Sequence, residues 1–159
     1  MKRSARCWQA SAADVMGNFA ALLDPRIAVA EALLSGEHPD LPADEAVSIA
    51  HAVLRRQLEF ATGRNSARQA MAALGRARTS LPRGPNRVPT WRDDLGGSIT
   101  YTRGWVTAAG TRRDQGFTAI GIDIEPATAL PPDLWASICA PDELERVTAT
   151  CDFTPGLTV

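Results

Sequence analysis

Apolar positions in the first half of the chain recur at helical spacing, and after Gly96-Gly97 the period shortens to two. Residues 1–42 read as loosely helical, with apolar clusters at 19–23 and 27–34, and 35–40 read as a loop. Pro42 suits the first turn of a helix whose positive end Asp44 and Glu45 complement. Val47, Ala50, Val53 or Leu54, Leu58 and Ala61 form a buried stripe that Gly63 is expected to interrupt. Asn65 or Ser66 is then positioned to cap a second helix carrying Ala67, Ala70, Met71 and Leu74 and stopping at Gly75.

Residues 79–94, rich in Pro and Arg, read as an extended loop. Residues 98–102 and 105–109, separated by Arg103-Gly104, read as strands, and 110–116 as a longer turn. Residues 117–125 complete the set, with Ile120, Ile122 and Ile124 alternating against Gly121, Asp123 and Glu125. Short helices are expected over 133–138 and from Pro141 through Leu144 and Val147. The predicted fold class is α+β, N-terminal helices followed by a small antiparallel sheet.

Composition narrows the function classes. The 159 residues suffice for one domain, and 45% hydrophobic against 22% charged positions excludes wholesale disorder. Lys plus Arg (17) nearly balances Asp plus Glu (18), which argues against a generally basic nucleic-acid binder. No apolar stretch reaches the length of a signal-peptide core or a membrane span. Cys7, Cys139 and Cys151 are odd in number and widely spaced, the usage of reduced thiols in a cytoplasmic protein. Lys2 is the only lysine, so cationic chemistry falls to arginine, whose planar fork suits phosphate and carboxylate. The alanine-rich composition offers the same bias a purely compositional origin.

The clearest candidate chemistry is a carboxylate pair. Residues i and i+2 of a strand share a face, so Asp123 and Glu125 project together. Two hard oxygen donors on one segment suit Mg²⁺, which fills its other positions with water and substrate phosphates. The same pair also suits the solvent face of a half-buried strand, and the pair alone does not decide. Arg64 and Arg68 share a helical face, Arg55 lies upstream, and Arg83 and Arg87 sit in the Pro-rich loop. Converging, they would make a polyphosphate pocket; dispersed, they are ordinary surface charge. His38 and His51 make no metal-ligand spacing, Trp91 and Trp105 read as packing residues, and Ser98 lacks a nucleophile elbow.

Four blocks in order resemble the 4′-phosphopantetheinyl transferases of the siderophore-synthase (enterobactin) type. They are Arg-Arg-Gln-Leu-Glu-Phe-Ala-Thr-Gly-Arg-Asn-Ser-Ala-Arg from Arg55, Arg-Gly-Pro-Asn-Arg-Val-Pro-Thr-Trp from Arg83, Gly-Ser-Ile-Thr-Tyr-Thr-Arg-Gly from Gly97 and Gly-Ile-Asp-Ile-Glu-Pro from Gly121. The resemblance spans about residues 41–147. It implies the first half of a pseudo-dimeric fold over 41–150, with a helical extension over 1–40 and a tail without family character over 151–159. It implies transfer of the phosphopantetheine arm of coenzyme A to a serine of an acyl or peptidyl carrier protein domain, with release of adenosine 3′,5′-bisphosphate. By position, Asp123 and Glu125 would be catalytic Mg²⁺ ligands, and Arg55, Arg64, Arg83, Thr100 and Tyr101 would contact the coenzyme A phosphates.

This chain departs from the family pattern twice. Tyr101 stands where the family carries histidine, so a charged hydrogen bond becomes a neutral one and coenzyme A binding should weaken. The family's second half carries a Lys-Glu-Ala motif that these residues lack, since their only lysine is Lys2. The resemblance therefore implies a transferase whose cleft a homodimer mate or second chain completes. The alternatives are a non-catalytic coenzyme A-binding module or an inactive truncated product.

Overall fold

The computed structural model describes residues 19–34, 39–102, 104–125 and 131–150. The helical reading of 1–18, the loop at 35–38, His38, Cys7, Cys151, Arg103 and the 151–159 tail lie outside these residues. The chain divides into two compact units, residues 12–126 and residues 1–11 with 127–159.

In the larger unit, a 3₁₀ turn at Phe19–Leu22 precedes strand β1, Ala28–Leu33. Two helices follow, α1 at Ala43–Ala46 and α2 at Leu54–Ala73, then strands β2, Leu95–Thr102, and β3, Trp105–Arg112. The sheet is antiparallel with order β1-β3-β2. The α+β class and the pairing of 98–102 with 105–109 agree with the sequence reading, the strands joining through Gly104 at φ 76°. In the smaller unit, helices α3, Pro132–Ile138, and α4, Pro141–Thr150, lie where the two late helices were expected.

The buried stripe expected over 47–61 is not continuous, since α1 ends at Ala46 and Val47, Val53 and Leu54 are exposed. Four further expectations need correction. Residues 28–33 are a strand, not helix: Ala28 pairs with Gly110 and Leu33 with Trp105, and Leu34 N–H donates to the Gly104 carbonyl at 2.9 Å. Alanine favours helix locally, yet tertiary pairing with β3 overrides that preference. Gly63 does not break a helix. A Cβ there would overlap the Tyr101 ring and hydroxyl, so the glycine admits a close crossing by β2 and α2 runs through it. Gly75 does end the helix, at φ 70°, with the Arg76 amide returning to the Met71 carbonyl at 3.0 Å. Third, β3 continues to Arg112, and the turn after it is a single 3₁₀ turn, Arg113–Gln115, closed by Gly116 at φ 87°.

The fourth correction concerns residues 117–125, which form no strand. The amide of Ile122 donates to Ser98 Oγ, and that of Ile124 to Thr100 Oγ1, both at 3.2 Å. Side-chain hydroxyls of β2 thus take the amides that a β ladder would direct to carbonyls. The alternation survives without a ladder, with Ile122 and Ile124 half-buried and Asp123 and Glu125 exposed.

The core sits between α2 and one sheet face. Ala67, Met71, Leu81, Leu95 and Ala108 are fully buried together, with Leu74, Trp91 and Ile99 packed against them. Small residues set the spacing: Gly110 of β3 lies under Leu74 and Ala70 of α2. Trp91 lies so close over Gly97 that no side chain fits there. Among the described residues no helix is long and apolar enough to cross a membrane.

Candidate functional site

Strand alternation divides the neighbours of β2 between two faces. Ile99 joins the core beneath α2, and two residues on, Tyr101 lies against Gly63 of that helix. Thr100 points the other way and is 5% exposed. Its hydroxyl donates to Asp123 Oδ1 at 2.8 Å, and the same oxygen accepts the Ile124 amide at 3.0 Å. Asp123 is thereby oriented although it is exposed, and Glu125 is exposed two residues on.

On the helical side Arg64 is 2% exposed, with its guanidinium 4.4 Å from the centre of the Phe60 ring. Burial lowers its pKa, opposed by the nearby Tyr101 and Glu45. Arginine nevertheless stays protonated in proteins, so α2 carries a buried cation. Its Nε has no hydrogen-bond partner among the described residues. A buried charged donor without a partner costs several kcal/mol, as order of magnitude, unless an anion satisfies it. Burial also raises the Tyr101 pKa, which Arg64 and Arg56 oppose. Arg56 stacks 5.2 Å over the Tyr101 ring, a contact the sequence spacing did not signal.

The remaining arginines separate. Arg55 is exposed and pairs with Glu59 one turn along the helix at 3.1 Å. Arg83 is exposed in the Pro-rich loop, its backbone bridged to Pro89. Arg68 departs from the expected convergence: it is buried, and its Nη1 donates to both carboxylate oxygens of Glu45 at 2.9 Å. Glu45, read in the sequence as a helix-end charge, is fully buried. The structure thus brings Thr100 to Asp123 and Tyr101 to Arg64, and leaves Arg55 and Arg83 on exposed positions.

Among the described residues no three His, Cys, Asp or Glu gather as a preformed metal cluster. The two exposed carboxylates of 123 and 125, one of them already oriented by a hydroxyl and an amide, are hard oxygen donors of the kind Mg²⁺ accepts. The donor set fits that ion. His51 is exposed, and Trp105 Nε1 donates to Thr107 Oγ1 at 3.2 Å, a packing role.

Residues 43–111 match the family model of the 4′-phosphopantetheinyl transferase N-terminal domain. The match covers α1 and α2 and reaches through most of β3, the elements that hold Arg64, Thr100 and Tyr101. Over 132 residues the chain is 38% identical to the 4′-phosphopantetheinyl transferase Svp of Streptomyces mobaraensis, covering 80% of this chain and 52% of that protein. It is 35% identical over 109 residues to Npt of Nocardia iowensis, covering 69% and 48%. It is 37% identical over 100 residues to PptT of Mycobacterium tuberculosis, covering 63% and 44%. The chain spans about half the length of the curated relatives it matches.

Proposed function

We propose that the chain acts as a 4′-phosphopantetheinyl transferase, contributing the half of the cleft that binds coenzyme A and Mg²⁺. The observation that carries this reading is Arg64, a buried guanidinium beside Tyr101 whose Nε has no partner among the described residues. An anion is the chemical complement of that donor, and the coenzyme A phosphates supply it. Arg55 and Arg83, exposed and on separate elements, add charge to the outer phosphates, and Tyr101 donates a neutral hydrogen bond. Asp123 and Glu125 hold Mg²⁺, which supplies charge neutralisation on the pyrophosphate. The Thr100 hydroxyl keeps the Asp123 carboxylate aimed.

In the reaction the carrier serine oxygen forms a bond to the phosphopantetheine phosphorus as the pyrophosphate P–O bond breaks. Adenosine 3′,5′-bisphosphate leaves, and the serine proton passes to a base that these residues do not assign. Catalysis of this kind rests largely on positioning and charge stabilisation. The roles of the Lys-Glu-Ala motif come from outside these 159 residues, with a second chain of different sequence as the proposed source. The siderophore-synthase type rests on the four motif blocks, and a cytoplasmic setting rests on the cysteine usage.

The test is incubation of the chain with coenzyme A, Mg²⁺ and an apo carrier protein, alone and with a full-length relative inactivated in its own arginine block. Mass gain of the carrier by one phosphopantetheine supports transfer. Binding of coenzyme A by calorimetry without mass gain reduces the reading to a binding module, and absence of both removes it.

A further inference from the structure

The Glu45 carboxylate does more than balance Arg68. Its Oε1 also accepts the Leu81 amide at 2.6 Å and lies 3.3 Å from Ser80 Oγ. Ser80 Oγ in turn donates to Asp44 Oδ2 at 2.6 Å. One buried carboxylate therefore ties α1, α2 and the start of the Pro-rich loop together. Leu81 is itself fully buried in the core, so the loop leaves the protein from a fixed point.

Two residues later the chain reaches Arg83, and the loop closes on itself. Thr90 N–H donates to the Pro82 carbonyl at 2.9 Å, Gly84 N–H to Val88 at 2.8 Å, and Arg83 bridges Pro89. Asn86 and Arg87 at the tip have positive φ, 55° and 67°, which turns the chain within three residues. Such a loop closes on itself, and it is attached through the contacts at 80–81 on one side and through Trp91, packed against the core, on the other. An exposed arginine binds phosphate tightly only if its mount is already in place, since ordering the loop on binding costs affinity.

We infer that Glu45, held by Arg68, is a positioning residue that clamps the Leu81 backbone and so fixes the loop that presents Arg83 to the coenzyme A phosphates. This inference rests on the proposed function, and it assigns Arg68 to the mount and not to the ligand. Charge-assisted hydrogen bonds to a buried carboxylate are strong, so the clamp outweighs the entropy of a single loop end.

The test is Glu45→Gln, which keeps the shape and removes the charge, with Arg68→Lys as a second variant should the first not fold. Amide hydrogen exchange at Leu81, Gly84, Val88 and Thr90 is expected to quicken about tenfold while the middle of α2 stays protected. Coenzyme A affinity by calorimetry should fall about tenfold. The double variant Glu45→Gln/Arg83→Ala should bind no more weakly than Arg83→Ala alone, since both remove one contribution. Unchanged exchange in the loop overturns the clamp whatever the ligand does. Additive losses in the double variant overturn action through Arg83. If the unsubstituted chain binds no coenzyme A, the proposed function and the Arg83 part of the inference fall together, and the exchange data alone judge the clamp.

Discussion

The two flanks of β2 are built on opposite principles. On the α2 flank, Arg64 is buried and Tyr101 half-buried, Gly63 leaves no room for error, and Glu45, paired with Arg68, accepts the Leu81 amide of the neighbouring loop. On the other flank, the Asp123–Glu125 segment is exposed, outside any ladder, and tied to β2 by the hydroxyls of Ser98 and Thr100. In the proposed function the first is a preformed cradle, because a buried guanidinium cannot be left to find its geometry when an anion arrives. The second, in that proposal, can remain lightly tethered, because hard carboxylates reach a metal ion from water at little desolvation cost.

That contrast is most directly broken at Arg64. Arg64→Met exchanges a buried charge for an apolar chain of similar reach. Thermal stability should hold or rise, as apolar replacement of buried charge often permits. Coenzyme A affinity should fall by about 2–5 kcal/mol, measured by calorimetry. An unchanged affinity would show that the buried donor is not the anion site. Next in size is Gly63→Ala, expected to destabilise by about 1–3 kcal/mol in urea denaturation through overpacking against Tyr101. Combining it with Tyr101→Ala should give a non-additive loss, since the second change removes the overlap. Additive losses would mean the crossing is not tight.

A smaller effect tests the lightly tethered flank. Thr100→Val removes the hydroxyl that serves both Asp123 and Ile124, at a cost of about 1 kcal/mol because Asp123 can turn to water. Amide exchange at Ile124 should rise, and the Mg²⁺ dependence of coenzyme A binding should weaken. Protection as strong as in the parent chain would argue for a hidden ladder. The smallest effect lies away from both flanks. Asp24, held by hydrogen bonds from the Arg26 side chain and backbone, has its pKa lowered from 3.8 to about 2. Its contribution is therefore present above pH 3.8 and is lost as pH falls toward 2. Arg26→Ala should return the carboxyl titration, followed by NMR, toward 3.8, leaving coenzyme A binding unchanged.

Much of this was open to reading from the residues, element by element. Arg103-Gly104 between two alternating runs marked the β2–β3 pairing, Gly75 marked the end of α2, and Pro141 marked α4. Glu45 was not legible. An acid in a first helical turn is an ordinary dipole complement, and only the arrival of Arg68 from 23 residues away makes it a buried ion pair. Nor was the Arg64–Arg68 difference legible: both lie one turn apart on one helix face, yet one carries a buried donor without a partner among the described residues and the other bonds both oxygens of Glu45. Helical spacing says which residues share a face, not what lies across from that face.

The residues alone determined the chemistry on offer: hard carboxylates two apart, arginine in place of lysine, and a stretch, 43–111, that matches the model of the 4′-phosphopantetheinyl transferase N-terminal domain. They determined the hairpin as well, because alternation and turn residues act over a few positions. Only the tertiary structure decided that residues 28–33 leave helix for strand, that Gly63 is a contact and not a break, and that 117–125 hang on hydroxyls. It also decided that Glu45 takes Arg68. Each of these depends on a partner distant in sequence, whose pairing energy outweighs the local preference that periodicity reports.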